Sequence, residues 1–118
     1  MIPTTLYTVN SICSNKNQHK VYIELNTLHP IYKGHFPGQP ILPGACALQI
    51  IRECAGAILN RDIRYKTINQ CKFIAMIIPN KGEIELLINI ADDDILQAMV
   101  HLEGKTMLKL KSTFTNND

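Results

Sequence analysis

At 118 residues, with 46% hydrophobic and 19% charged side chains, the chain has the size of one folded domain, long enough to bury a core without disulfides or a metal. Twelve Lys and Arg against ten Asp and Glu leave a formal charge of +2, too small to mark a nucleic-acid or membrane-surface binder. The four cysteines, Cys13, Cys46, Cys54 and Cys71, form no C-x-x-C pair and sit among apolar residues, which reads as buried, reduced thiols and as neither a zinc site nor a disulfide framework.

In chain order, Met1 leads into Ile2, Pro3 and Thr4 with no basic run and no long apolar stretch, so no signal peptide is expected and the cytoplasm is the expected compartment. Residues 5–12 and 20–26 suit strands, the second alternating with Val21, Ile23 and Leu25 on one face, and the polar run at 14–18 reads as the hairpin turn between them. Residues 28–42 carry Pro30, Gly34, Pro37, Gly38 and Pro40, which fix φ or permit positive φ and so predict a rigid, irregular loop. Pro43 suits the first turn of a helix, because its missing N–H has no partner to lose there, and residues 45–59 form the helix, with Asn60 as its stop.

That helix is apolar almost all round, so it is expected to be buried under a surrounding sheet. It falls short of the ~20 residues needed to cross a bilayer, and Arg52 and Glu53 interrupt it. Gln49, Arg52 and Glu53 fall at i, i+3 and i+4, one narrow stripe that must face something polar. Beyond it, residues 65–78, 83–90, 95–102 and 106–115 read as four more strands, with Ile84, Leu86, Ile88 and Ile90 sharing one face and Lys105, Lys109 and Lys111 the outward face of the last. The turns Pro79-Asn80-Lys81-Gly82, Asp92-Asp93-Asp94 and Glu103-Gly104-Lys105 are each short enough for a hairpin. Two strands, a helix and four strands predict a single α+β domain over 1–118, a curved antiparallel sheet wrapped around a central helix.

The run Gly34-His35-Phe36-Pro37-Gly38-Gln39-Pro40-Ile41-Leu42-Pro43-Gly44 resembles the H-F-P-G-x-P-x-x-P-G signature of hotdog-fold 3-hydroxyacyl-[acyl-carrier-protein] dehydratases of the FabZ/FabA type. Lys72-Phe73 through Ile77-Ile78-Pro79 resembles that family's strand ending in a proline turn, and the chain would be a minimal version without the usual N-terminal extension. The resemblance implies a hotdog fold, no metal or organic cofactor, and dehydration of acyl chains presented by acyl carrier protein, in fatty acid or aryl-polyene-like synthesis. It also implies at least a homodimer, or a heterodimer with a homologue, in which one chain's loop and the other's helix share a cleft.

The residues can be set against that chemistry. His35 takes the motif position of the base that removes the α-proton, a task suited to a neutral imidazole with a pKa of ~6.5. Gly44, following Pro43 at the helix start, is the matched donor for the thioester oxygen, since a helix N-terminus offers free N–H groups and a positive dipole end. Phe36 and Tyr32 would wall the cleft.

Family members carry an acid fourteen residues beyond the histidine; this chain has Gln49 there and Glu53 one turn later, as if the two residue types were exchanged. A carboxamide cannot transfer a proton at neutral pH, though it hydrogen-bonds a hydroxyl or a water. Gln49 and Glu53 therefore stand as candidate site residues beside plainer readings, a satisfied helix amide and a solvated charge next to Arg52. His19, His29 and His101 read as structural or solvent-exposed. Two other functions stay open: a non-catalytic partner subunit that keeps the acyl cleft and pairs with an active homologue, and a hotdog thioesterase using Glu53 to direct water.

Overall fold

A computed structural model describes residues 5–32, 40–79 and 82–117. Strands β1 (Tyr7–Asn15) and β2 (Gln18–Leu25) form a hairpin, followed by a 3-10 turn at Pro30–Tyr32, helix α1 (Gly44–Leu59), then β3 (Ile63–Phe73), β4 (Ile84–Ala91), β5 (Ile95–Leu102) and β6 (Lys105–Asn116). The six strands make one antiparallel sheet in the order β1-β2-β4-β5-β6-β3. The expected α+β arrangement of a sheet around one helix is what forms, and its turns follow local chemistry. Lys16 (φ 57°) turns β1 into β2, Asp93 (φ 68°) and Asp94 (φ 57°) turn β4 into β5, and Glu103 and Gly104, also at positive φ, turn β5 into β6.

One expected hairpin does not form. Pro79-Asn80-Lys81-Gly82 does not join paired strands, because β3 pairs with β6 and lies at the sheet edge, whereas β4 is sandwiched between β2 and β5. The strand expected over 65–78 ends at Phe73. Beyond it the chain leaves the ladder, with the Ile74 and Ala75 N–H groups both donating to the Met107 carbonyl oxygen at 2.8 and 3.2 Å.

Alternation builds the core. Val21, Ile23 and Leu25 on β2, Ile84, Leu86 and Ile88 on β4, Leu96, Ala98 and Val100 on β5 and Leu108, Leu110 and Phe114 on β6 are all buried on the sheet face that carries α1. The helix contributes Ala47, Ile50, Ile51, Cys54, Ala55 and Gly56. It is covered on that side alone, for Ala45, Gln49, Glu53 and Ala57, spaced four apart, remain exposed, so the helix is not enclosed all round as its composition suggests. The cysteines also divide: Cys54 is buried, Cys46 and Cys71 are half-buried, and Cys13 is exposed, because its parity on β1 places it opposite Lys20 on the outer face.

Two ties fix the helix against β3. Arg52 donates to the Ile63 carbonyl oxygen at 3.1 Å, and the Tyr65 hydroxyl donates to the Leu48 carbonyl oxygen at 2.6 Å. Desolvation pushes the Tyr65 pKa up, so the phenol stays a donor. At the far end Asn60 adopts the left-handed conformation (φ 57°, ψ 43°) and the Arg61 N–H returns to the Gly56 carbonyl oxygen at 3.0 Å, closing the helix where the sequence predicts.

That closure brings the backbone over Gly56, where an added Cβ would stand 2.8 Å from the Arg61 carbonyl oxygen. Gly56→Ala gains about 1 kcal/mol of helix propensity yet must displace backbone, so a net loss of about 1–3 kcal/mol is expected. Urea unfolding of the variant measures this, and an unchanged or raised midpoint would show that the helix end yields without strain.

Candidate active site

Of the residues singled out from the sequence, His35 and Phe36 lie outside the described residues. Pro43 and Gly44 open α1, Pro43 acting as the N-cap (φ −60°, ψ 144°) whose carbonyl oxygen accepts from the N–H groups of Cys46 and Ala47 at 3.0 and 3.1 Å. The Gly44 and Ala45 N–H groups have no partner among the described residues. Beside this helix start runs an apolar groove of about 490 Å3, formed by Ile41 to Gly44, Ala47, the 73–77 segment and Met107. The groove wall is pinned through the Leu42 N–H, which donates to the Ile77 carbonyl oxygen at 2.9 Å. Phe73, 54% exposed, lies over Gly44, and a Cβ there would meet its ring at 2.7 Å.

Tyr32 does not line that groove. It is 9% exposed and belongs to the core, because the 3-10 turn at Pro30–Tyr32 rolls its ring inward. Its hydroxyl has no partner among the described residues, and desolvation pushes its pKa up to about 12.

A second cleft, of about 550 Å3, lies between α1 and β1 and holds Gln49 and Glu53 together with Tyr7 and His29. Tyr7 sits on the inner face of β1, opposite Leu25, and so reaches toward the helix. Its hydroxyl donates to Glu53 Oε1 at 2.8 Å, and Gln49 Nε2 donates to Glu53 Oε2 at 3.0 Å, so both carboxylate oxygens serve as acceptors. Burial first, and the Glu53 carboxylate second, push the Tyr7 pKa up and keep the phenol protonated. Arg52, the third residue of the expected polar stripe, turns the other way, to Ile63 and Asp62. The Ile31 N–H donates to His29 Nδ1 at 3.0 Å, which in the neutral imidazole leaves the ring proton on Nε2.

The expected site residues are thus divided between two clefts. Gln49 lies five positions after Gly44, which at 3.6 residues per turn and 1.5 Å rise places them about 140° apart around the helix and about 7.5 Å along it. Sequence reasoning missed Tyr7 and set His29 aside, since neither has a local motif. Only the inner-face parity of Tyr7, readable from the pairing of β1 with β2, could have pointed to it.

Residues 11–109 match the ApeI-like family, described as ApeI dehydratase. The chain is 30% identical over 95 residues to a 3-hydroxyacyl-[acyl-carrier-protein] dehydratase FabZ of Clostridium acetobutylicum, covering 71% of this chain and 67% of that one. It is 28% identical over 82 residues to the FabZ of Caldanaerobacter subterraneus subsp. tengcongensis, covering 64% and 56%. Among solved structures, the dehydratase heterocomplex ApeI:P from Xenorhabdus doucetiae superposes with a TM-score of 0.81 at 21% identity, over 92% of this chain and 97% of that one. A protein of Erwinia carotovora subsp. atroseptica superposes with a TM-score of 0.67 at 22% identity, over 99% and 98%. The shared architecture is the hotdog fold.

The contact between Gly44 and Phe73 sets the mouth of the apolar groove. Gly44→Val is expected to push the Phe73 ring aside and weaken binding of a fluorescent long-chain acyl probe by roughly tenfold, the scale of a small apolar misfit. Adding Phe73→Ala should restore the affinity. Equal binding by wild type and Gly44→Val would exclude this groove as the place where the probe binds.

Proposed function

Because this chain belongs to the ApeI-like dehydratase family, we propose that it removes water from 3-hydroxyacyl thioesters to give trans-2-enoyl thioesters, acting on chains carried by acyl carrier protein in fatty acid or aryl-polyene-like synthesis. The observation that carries this reading is the apolar groove beside the N-terminus of α1, the helix that follows the His35-Phe36-Pro37-Gly38 run in sequence. An acyl chain lies in the groove with its thioester at Gly44. The Gly44 N–H and the helix dipole stabilise the charge that grows on the thioester oxygen as the α-proton leaves.

His35 takes that proton. The bond to the 3-hydroxyl then breaks, the Cα–Cβ double bond forms, and the proton held by His35 converts the departing hydroxide to water. This route needs no second acid, which suits a helix that presents Gln49 where an acid is expected and a Glu53 whose oxygens already accept from Tyr7 and Gln49. His35→Ala is expected to abolish hydration of enoyl and dehydration of 3-hydroxyacyl thioesters, while circular dichroism stays native. Near-wild-type turnover would move the base elsewhere.

The division of Gly44 and Gln49 between two clefts supports a site completed by a second subunit, Gln49 and Glu53 facing the loop of the neighbour. The edge strand β3 has no partner on its outer side among the described residues and exposes Ile68 and Phe73, followed by Ile74 and Met76, a surface suited to pairing across a dyad. Light scattering at micromolar concentration should therefore give at least a dimer, and a strictly monomeric species would reject the shared site.

A second reading is a partner subunit that pairs with an active homologue. Gln49 supports it, as does the likeness to a protein solved as a dehydratase heterocomplex. In that case wild type alone is nearly inactive and Gln49→Glu raises its turnover by restoring an acid; a chain active alone and indifferent to Gln49→Glu excludes it.

A further inference from the structure

Glu53 is an exposed helix carboxylate whose two oxygens are both taken by donors from different elements, Tyr7 on β1 and Gln49 on α1. A carboxylate only accepts, so the carboxamide beside it must present its N–H to Glu53, and its carbonyl oxygen must then point away. Gln49 lines the cleft, as do Tyr7 and His29. Gln49, left to itself, is free to turn either end of its amide outward; anchored to Glu53 it offers one. Tyr7 serves the same end from across the cleft, holding Oε1 so that Oε2 stays in reach of Gln49.

We propose that Tyr7 and Glu53 are positioning residues that lock the Gln49 carboxamide with its carbonyl oxygen toward the cleft, as the acceptor for the 3-hydroxyl of a substrate whose thioester sits at the Gly44 groove of a second copy of this chain. This rests on the dehydratase reading for the identity of the hydroxyl, but the lock itself is a property of the chain. With the hydroxyl proton engaged by Gln49 Oε1, the oxygen keeps its lone pairs for the proton that turns it into water. No proton passes through Glu53 or Tyr7. The exchanged order of Gln and Glu on the helix thus converts a proton-donating position into a hydroxyl-orienting one.

The side-chain amide of Gln49 in 15N-labelled protein reads the lock without any assay of activity. Wild type should show one strongly shifted, exchange-protected N–H, which Glu53→Ala returns to free-amide values and Tyr7→Phe moves part of the way. Resonances that ignore Glu53→Ala overturn the lock. In kinetics, Tyr7→Phe and Glu53→Gln should each lower kcat by roughly tenfold with KM little changed, well short of the roughly hundredfold or more that follows loss of a general acid.

The double variant should be no slower than Glu53→Gln alone, because Tyr7 acts through Glu53; additive losses would overturn the pairing. If a limb of the pH–rate profile vanishes in Glu53→Gln, Glu53 transfers a proton and the proposal is wrong. A wild type inactive on every 3-hydroxyacyl and enoyl thioester removes the dehydratase reading, and with it the substrate's hydroxyl, while the amide resonances still decide the lock.

Discussion

Everything in this molecule depends on burying one face of one helix against a sheet wider than the helix itself. Six strands spaced about 4.8 Å apart span about 24 Å, and a helix with its side chains is about 10–12 Å across. Ile50, Ile51, Cys54 and Ala55 fill the middle of the inner face against Val21, Leu86, Val100 and Leu108. What the helix cannot cover remains open on both flanks. One flank, toward the 73–77 segment, is apolar and borders the helix start; the other, toward β1, carries the polar stripe.

The chemistry of the two flanks follows from which strand closes them. On one side the residues after Phe73 leave the ladder and fold back toward Leu42, so the groove is walled by side chains that have no polar atoms to place. On the other, the first residue of β1 is a tyrosine with its hydroxyl on a helix carboxylate. Desolvation beside that carboxylate keeps Tyr7 a phenol, and Cys54, buried beneath, has its thiol pushed up to about 11 by the same loss of water. Neither group has the microenvironment of a nucleophile. Both stay neutral beside the Glu53 carboxylate.

The misreadings have a common origin. Short turn chemistry at Pro79-Asn80-Lys81-Gly82 suggests a hairpin, but adjacency in sequence does not decide adjacency in a sheet, and the two inner edges on either side of β4 were already claimed by β2 and β5. Tyr32 follows the same logic. Its ring is carried into the core by a single 3-10 turn, which no local pattern announces. Helix composition misled in the opposite direction, since small residues such as Ala45 and Ala57 count as apolar yet cost little when exposed.

Local chemistry alone determined the helix start at Pro43, its stop at Asn60, the inward parity of β2, β4 and β5, and the motif that names the family, because each depends on backbone preferences or on alternation within a few residues. The Gln49 and Glu53 stripe was legible for the same reason, as residues one turn apart on a helix must share a face. Tertiary structure alone decided that Arg52 leaves that stripe for β3, that Tyr7 joins it from 46 positions upstream, and that Gly44 and Gln49 open into different clefts. Those outcomes depend on strand order and on the width of the sheet relative to the helix, quantities that exist only once distant segments have packed together.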